Sequence, residues 1–188
     1  MKAILQYEIN ISLPAKTKLI LIQTMIIKYM TNLTFKIAER NESSLILEYI
    51  KKLADYEKRL DEVIATEKDI EKWVFDEKQA EVIFALLDNE VIGFALYFLS
   101  FSTYIGNVNM HLEDLFIEPE YRGNGYGKAL LKELGKIVLE RNYGRLEWTC
   151  LSWNKPSIDF YLNIGAELKD WELFHFKGES LEKFVKEK

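Results

Sequence analysis

The chain has 188 residues, enough for one domain with a sizeable core, and its composition, 48% hydrophobic and 29% charged, is that of a globular protein rather than a disordered or fibrous one. Its 25 Lys and Arg and 30 Asp and Glu are mixed along the sequence and leave a formal net charge of −5, so no nucleic-acid-binding face is expected. A single cysteine, Cys150, excludes an internal disulfide framework, and two scattered histidines, His111 and His175, argue against a metal site.

Residues 1–33 hold four of the basic residues and one of the acidic ones, so the rest of the chain carries 21 positive and 29 negative charges, a balance of −8. An acidic domain attracts cationic ligands, which inclines the reading toward an amine substrate. Residues 19–27 are apolar apart from Gln23 and Thr24, a run too short to span a bilayer, and Lys28 and Met30 follow where a signal peptide would carry small residues. Residues 1–33 are therefore read as an N-terminal extension, most simply explained by translation from Met25 or Met30, and residues 34–188 as the domain. No membrane attachment is expected, and the location expected is cytoplasmic.

Alternation over residues 34–38 predicts a first strand, and Asn41, Glu42 and Ser43 offer caps for a helix over 44–58 with an apolar stripe of Leu45, Leu47, Ile50, Leu53 and Ala54. A second helix begins at Thr66 and carries Ile70, Trp73 and Val74 at core spacing. Residues 81–87 and 91–101 read as an antiparallel hairpin about a tight turn at 88–90, and a reversal at 104–107 returns the chain as a strand over 111–118 that Pro119 ends. Ala129, Leu130, Leu134, Ile137 and Val138 then repeat at helical spacing over 128–141, with a stop signal at Asn142-Tyr143-Gly144. A strand over 145–153, a short helix from Pro156 to Ile164 closed by Gly165, and a last strand over 171–176 complete the order. It predicts an α/β (α+β) fold with a mixed sheet, mainly antiparallel before residue 119 and locally parallel after it.

Between the strand at 111–118 and the helix at 128–141 lies Arg122-Gly123-Asn124-Gly125-Tyr126-Gly127. A glycine-rich loop opening onto a helix N-terminus presents unpaired N–H groups and the positive end of the helix dipole, which suits a phosphate; the glycines permit close backbone approach and Arg122 adds a fixed charge. The spacing fits neither a P-loop nor a Rossmann turn. The alternative is an ordinary glycine-capped surface turn.

The loop resembles the Arg/Gln-x-x-Gly-x-Gly/Ala signature of the GNAT superfamily of N-acetyltransferases. His111-Leu112-Glu113-Asp114-Leu115-Phe116 before it, and Trp153-Asn154-Lys155-Pro156-Ser157-Ile158-Asp159-Phe160-Tyr161 after it, are similar to the spermidine/spermine (diamine) and thialysine acetyltransferases, a resemblance that runs from about residue 34 to 184. It implies acetyl-CoA as cosubstrate, a small amine as acceptor and a homodimer. Glu113 would be the base, directly or through a water, and Tyr161 the acid. The backbone of Leu115, Phe116 and Ile117 would take the pantetheine, and Arg122, Gly123, Asn124, Gly125, Tyr126, Gly127 and Lys128 the pyrophosphate. Asn154, Pro156, Ser157 and Ile164 would line the other wall. Tyr56, Glu57, Glu113, Asp114, Glu147, Trp148 and Thr149 would meet the acceptor. The aromatic Trp171, Phe174 and Phe176 suit a buried dimer interface, and equally an intramolecular core.

Each carboxylate taken alone reads more simply as a solvated surface charge, and Tyr161 as a buried phenol; only convergence makes a site. Tyr104 stands where the spermidine/spermine enzymes look to have tryptophan, which leaves thialysine, a small diamine, an amino acid or another primary amine open as acceptor. Other readings are an acetyltransferase for peptide amines, a non-catalytic acyl-CoA-binding module and a scaffold protein.

Overall fold

The structure is a computed structural model that describes Pro14 and residues 32–187. The N-terminal extension read at 1–33, with its apolar run and Met25 and Met30, lies outside the described residues apart from Pro14, Asn32 and Leu33. The chain divides into two compact units, one ending at Thr149 and the other beginning at Cys150.

The first unit is built on a five-stranded sheet in the order β1 (Leu33–Ile37), β2 (Glu81–Leu87), β3 (Glu90–Ser102), β4 (Asn107–Ile117) and β5 (Leu146–Trp148). All neighbours are antiparallel except β4 and β5, which run parallel. Helix α1 (Ser43–Tyr56) follows β1, a short α2 (Glu67–Ile70) runs on into a π-helical turn (Glu71–Asp76), and α3 (Tyr126–Glu140) crosses from β4 to β5. Thr66 starts α2 through a capping box, its N–H donating to Asp69 Oδ2 at 2.9 Å while the Asp69 N–H donates to Thr66 Oγ1 at 3.3 Å.

Pleating sends alternate residues to opposite faces. On one face Val82, Phe84, Phe94 and Phe116 bury against Ile46 and Tyr49 of α1 and Ile70 and Val74 beyond it. Tyr49 is the hub of this layer: its ring centroid lies 6.0 Å from Phe84, 5.5 Å from Phe94 and 6.1 Å from Phe116, and its hydroxyl donates to the Val91 carbonyl at 2.8 Å. The alternate residues Ile83, Ala85, Ala95 and Tyr97 are equally buried, and α3, packed on β1, β4 and β5, contributes Leu130, Leu131, Leu134 and Val138. The β2–β3 hairpin turns on Asp88 and Asn89, both left-handed at φ 51° and 71° as a two-residue type I′ turn requires, and Asp88 Oδ1 also accepts the Asn32 N–H at 3.0 Å.

Three expectations are corrected. Trp73, expected in the core, is 48% exposed, because the π-helical turn advances by more than the 3.6 residues that place i and i+3 on one face. The strand expected over 145–153 pairs only at Leu146–Trp148. The helix before it stops within the expected signal, on Asn142, which takes the left-handed conformation at φ 55°; at Gly144 a Cβ would lie 2.3 Å from Ile105 Cδ1 and 2.9 Å from Asn109 Oδ1.

The third lies in the second unit, which holds α4 (Lys155–Asn163) and α5 (Gly178–Lys186). The strand expected over 171–176 is absent: the segment is irregular, with Trp171 77% and Phe174 89% exposed, and instead Phe176 stacks on Phe184 of α5 at 4.8 Å between centroids.

Gly93 of β3 faces the backbone of β4 so closely that a Cβ would sit 2.4 Å from the Phe116 carbonyl oxygen and 2.5 Å from Ile117 Cδ1. Gly93→Ala is expected to destabilise the fold by about 1–3 kcal/mol through overpacking, read as a lower urea midpoint at unchanged slope.

Candidate functional site

The site begins where β4 leaves β5. The two strands pair only over Met110–Leu146, His111–Glu147 and Leu112–Trp148. On the other side of β4, Tyr97 of β3 faces Leu112 and Leu96 faces Asp114, so Glu113 is an extra residue with no partner across the ladder, a β-bulge that bends the strand and leaves its side chain exposed. Residues 114–117 then pair with β3 alone. Among the described residues no strand takes their other edge, so backbone donors and acceptors face outward from the sheet there.

That edge leads straight into the glycine loop. Pro119–Tyr121 make a single 3-10 turn, and the Asn124 amide donates to the carbonyls of Tyr121 and Arg122 at 3.1 and 3.2 Å, fixing the bend. Gly123 and Gly125 are left-handed at φ 79° and 86°, and a Cβ on either would meet nothing within 4 Å. Their backbone therefore lies open to an approaching group. Gly125 caps α3 without a side-chain acceptor, so the N–H groups of Tyr126, Gly127 and Lys128 begin the helix as orphan donors beside its positive end. At Gly127 a Cβ would make only an ordinary contact, 3.8 Å from Ile117 Cγ1. This is a cradle for an anion such as a pyrophosphate.

Arg122, expected at the pyrophosphate, is anchored at the start of the loop. Its Nε donates to the Ile117 carbonyl at 2.8 Å, and its guanidinium carbon lies 4.7 Å from the Tyr56 ring centroid and 5.0 Å from that of Phe116. One turn back along α1, Lys52 donates to Glu118 Oε1 at 2.6 Å and pairs with Glu48 at 2.8 Å, so its charge is raised in basicity by two carboxylates. Neither Lys52 nor Glu118 carried a motif signal; only the spacing of Tyr49, Lys52 and Tyr56 along one face of α1 could have pointed to this seam.

The carboxylates expected on the acceptor side are in part close enough to influence one another. Partial burial pushes the Asp114 carboxyl up to about 7, and the neighbouring negative charges of Glu113 and Glu57 push the same way. Glu57, just past the end of α1, is also raised, chiefly by burial, with Glu113 adding to the shift and Arg59 opposing it. Three carboxylates from α1 and β4 thus share one field, and like charges held together favour a cation between them. His111 Nε2 lies 3.9 Å from Glu113 Oε2 on the same strand.

Glu147 does not join them. Ser100 Oγ and the Asn109 amide donate to its Oε1 at 2.9 and 3.4 Å, and Arg145 Nε donates to its Oε2 at 2.6 Å, which lower its pKa against the opposing effect of burial. Its charge is already matched by its own neighbours. Trp148 beside it is half-buried and Thr149 is exposed. Ser100, Asn109 and Arg145 had no sequence signal beyond their place on adjacent strands.

In the second unit, Asn154 is buried and caps α4, its Oδ1 accepting the Ser157 N–H at 3.4 Å, while Pro156 occupies the first turn, where its missing N–H costs nothing. Tyr161 lies in the same helix, partly buried, with its ring centroid 5.4 Å from that of Phe160. Ile164 ends the helix and Gly165, at φ 94°, turns the chain away. Among the described residues, no three His, Cys, Asp or Glu side chains gather as a metal-binding group, and no helix is long and apolar enough to cross a membrane.

A strand whose free edge runs into a glycine cradle at a helix N-terminus is the framework of an acetyl-CoA-dependent transferase, and comparison with known proteins agrees. The model of the acetyltransferase (GNAT) family matches residues 46–166, and the chain belongs to that family. It is 34% identical over 157 residues to the thialysine N-epsilon-acetyltransferase of Bos taurus, covering 77% of this chain and 92% of that protein. It is 35% identical over 98 residues to the L-ornithine N5-acetyltransferase of Arabidopsis thaliana, covering 52% of this chain and 43% of that one. Among solved structures, an integron cassette protein from the mobile metagenome of V. cholerae superposes with a TM-score of 0.69 at 30% identity, over 82% of this chain and 98% of that one.

Because the folded-state pKa of Asp114 lies above its unfolded value near 3.9, the folded state holds a proton that the unfolded chain has lost, and stability falls as pH rises from about 4 to about 7. Asp114→Asn removes that dependence. The variant should gain about 1–3 kcal/mol over the parent at pH 8 relative to pH 4, measured by urea unfolding at the two pH values.

Proposed function

We propose that the chain transfers the acetyl group of acetyl-CoA directly to a primary amine of a small acceptor: a basic amino acid of the thialysine or ornithine type, a diamine or a polyamine. The observation that carries this reading is the run of carboxylates Glu57, Glu113 and Asp114 beside the free edge of β4, with the glycine cradle at the other end of that edge. The names of the two relatives supply the acceptor class, since thialysine and ornithine both present a terminal amine on a short chain.

The backbone of Leu115, Phe116 and Ile117 offers the pantetheine amides an unused strand edge, and the N–H groups of residues 123–128 receive the pyrophosphate. Asn154, Pro156, Ser157 and Ile164 keep the role that the family resemblance gives them against the cofactor. At neutral pH an alkylamine is protonated, with a pKa near 10.4, and cannot attack a thioester. Glu113, exposed on its bulge, takes that proton directly or through a water; the freed nitrogen then bonds to the thioester carbonyl carbon. Collapse of the tetrahedral adduct breaks the C–S bond: Tyr161 gives its phenolic proton to the departing thiolate, the adduct nitrogen releases its remaining extra proton, which by way of water restores the phenol, and Glu113 passes its proton to the medium. Tyr56, Glu57 and Asp114 hold the acceptor, with Trp148 and Thr149 along its border. Glu147, spent on Ser100, Asn109 and Arg145, contributes by shaping β5 rather than by charge.

The test is release of CoA thiol from acetyl-CoA with thialysine, ornithine, lysine, putrescine, spermidine and spermine. Turnover is expected on at least one of them, and Tyr161→Phe should lower kcat roughly 10²-fold with little change in acetyl-CoA affinity. Unchanged turnover in that variant would remove Tyr161 as the acid, and silence across the panel with acetyl-CoA bound would move the acceptor to a peptide amine.

A homodimer belongs to the same proposal. The outer edge of β5 has no strand beside it among the described residues, and Trp171, Leu173, Phe174 and Phe176 are exposed in the single chain. Light scattering should return twice the chain mass of 22.1 kDa, and Trp171→Asp with Phe174→Asp should return the monomer; a monomeric parent overturns the assignment.

A further inference from the structure

Arg122 is the first residue of the glycine loop, is exposed, and yet is fixed by three contacts from two elements. The Tyr56 ring at the end of α1 and the Phe116 ring of β4 flank its guanidinium at 4.7 and 5.0 Å, and the Ile117 carbonyl takes its Nε proton. A guanidinium is planar and weakly hydrated, so it stacks on aromatic faces where an ammonium would stay in water. Tyr56 immediately precedes Glu57, one of the three carboxylates of the acceptor side. One turn earlier Lys52 reaches Glu118, the residue that leads out of β4 toward the loop. Both ends of the turn from Glu118 to Arg122 are therefore tied to one face of α1.

We infer that Arg122 is a positioning residue that couples the two halves of the site: Tyr56 sets the conformation of the loop through the Arg122 guanidinium, and the loop in turn sets where Tyr56 and Glu57 stand. The inference rests on the reading of the loop as the CoA pyrophosphate site. Coupling of this kind is reciprocal, so a change at the acceptor side must appear as a change in CoA affinity, and a change at Arg122 as a change in acceptor affinity. A phosphate-binding arginine alone predicts neither.

The experiment is calorimetric titration of the full chain with CoA, no amine being present. Tyr56→Leu, which removes the ring face, should weaken CoA binding roughly 2- to 5-fold, the worth of one exposed cation–π contact, whereas Tyr56→Phe, which keeps the face and loses only the hydroxyl, should bind as the parent does. Arg122→Lys should also weaken it, and Tyr56→Leu added to Arg122→Lys should cost nothing further. From the other side, Arg122→Met should raise KM for the amine at saturating acetyl-CoA, a readout that does not depend on Tyr56→Leu folding. Parent-like CoA affinity in Tyr56→Leu, independent effects in the double variant, or an unmoved amine KM in Arg122→Met would each overturn the coupling while leaving the transferase reading intact. If the parent chain does not bind CoA, the loop reading and the coupling fall together.

Discussion

Everything that gives this protein a site follows from the short parallel contact between β4 and β5. Three residue pairs hold the strands together, and past Leu112 and Trp148 nothing does. Glu113 sits at the point of separation as an inserted residue, so the bend that opens the sheet also turns a carboxylate out of it. Longer pairing would have consumed the edge of residues 114–117 and hidden the approach to the glycine loop. The site is made by stopping a sheet early.

The opposite face of the same strand is secured with corresponding firmness. Phe116 is packed under Tyr49, and Gly93 lets β3 come so near that even a methyl group would collide with the Phe116 carbonyl. One side of β4 is thus rigid and dry, which allows the other to stay open without the strand fraying. Helix α1 serves both sides, burying Ile46 and Tyr49 against the sheet while Lys52 and Tyr56 reach the turn beyond β4.

The elements that could be read from sequence were those whose signal is local. The stripes of α1 and α3, the β2–β3 hairpin with its Asp-Asn turn, and the loop from Arg122 to Gly127 declare themselves through periodicity and backbone requirements, and each is found within a residue or two of its expected bounds. A strand, by contrast, exists only if a partner edge is available. Alternation around Trp171 could not reveal that residues 171–176 have no ladder, nor could the residues after Trp148 reveal that pairing ends there. Trp73 failed for a related reason, since core spacing assumes an α-helix and the chain there is wound more loosely.

Carboxylates show the same limit in the candidate site. Glu57, Asp114 and Glu147 look alike in the sequence, and their differences come from neighbours contributed by distant segments. Arginine, serine and asparagine neutralise Glu147, whereas Glu57 and Asp114 face Glu113 and each other. Residue type and spacing carry no information about which of these company each will keep.

With its pKa near 7, Asp114 is a proton store at the edge of neutrality. A cation settling beside Asp114 would favour the ionised form of that carboxyl, so its arrival would drive a fraction of a proton from Asp114 into the medium. The heat of binding then contains the ionisation enthalpy of whatever buffer receives that proton. The charge on Asp114 would thus adjust to its neighbour: smaller with no cation beside it, and full only when a positive group is there to meet it.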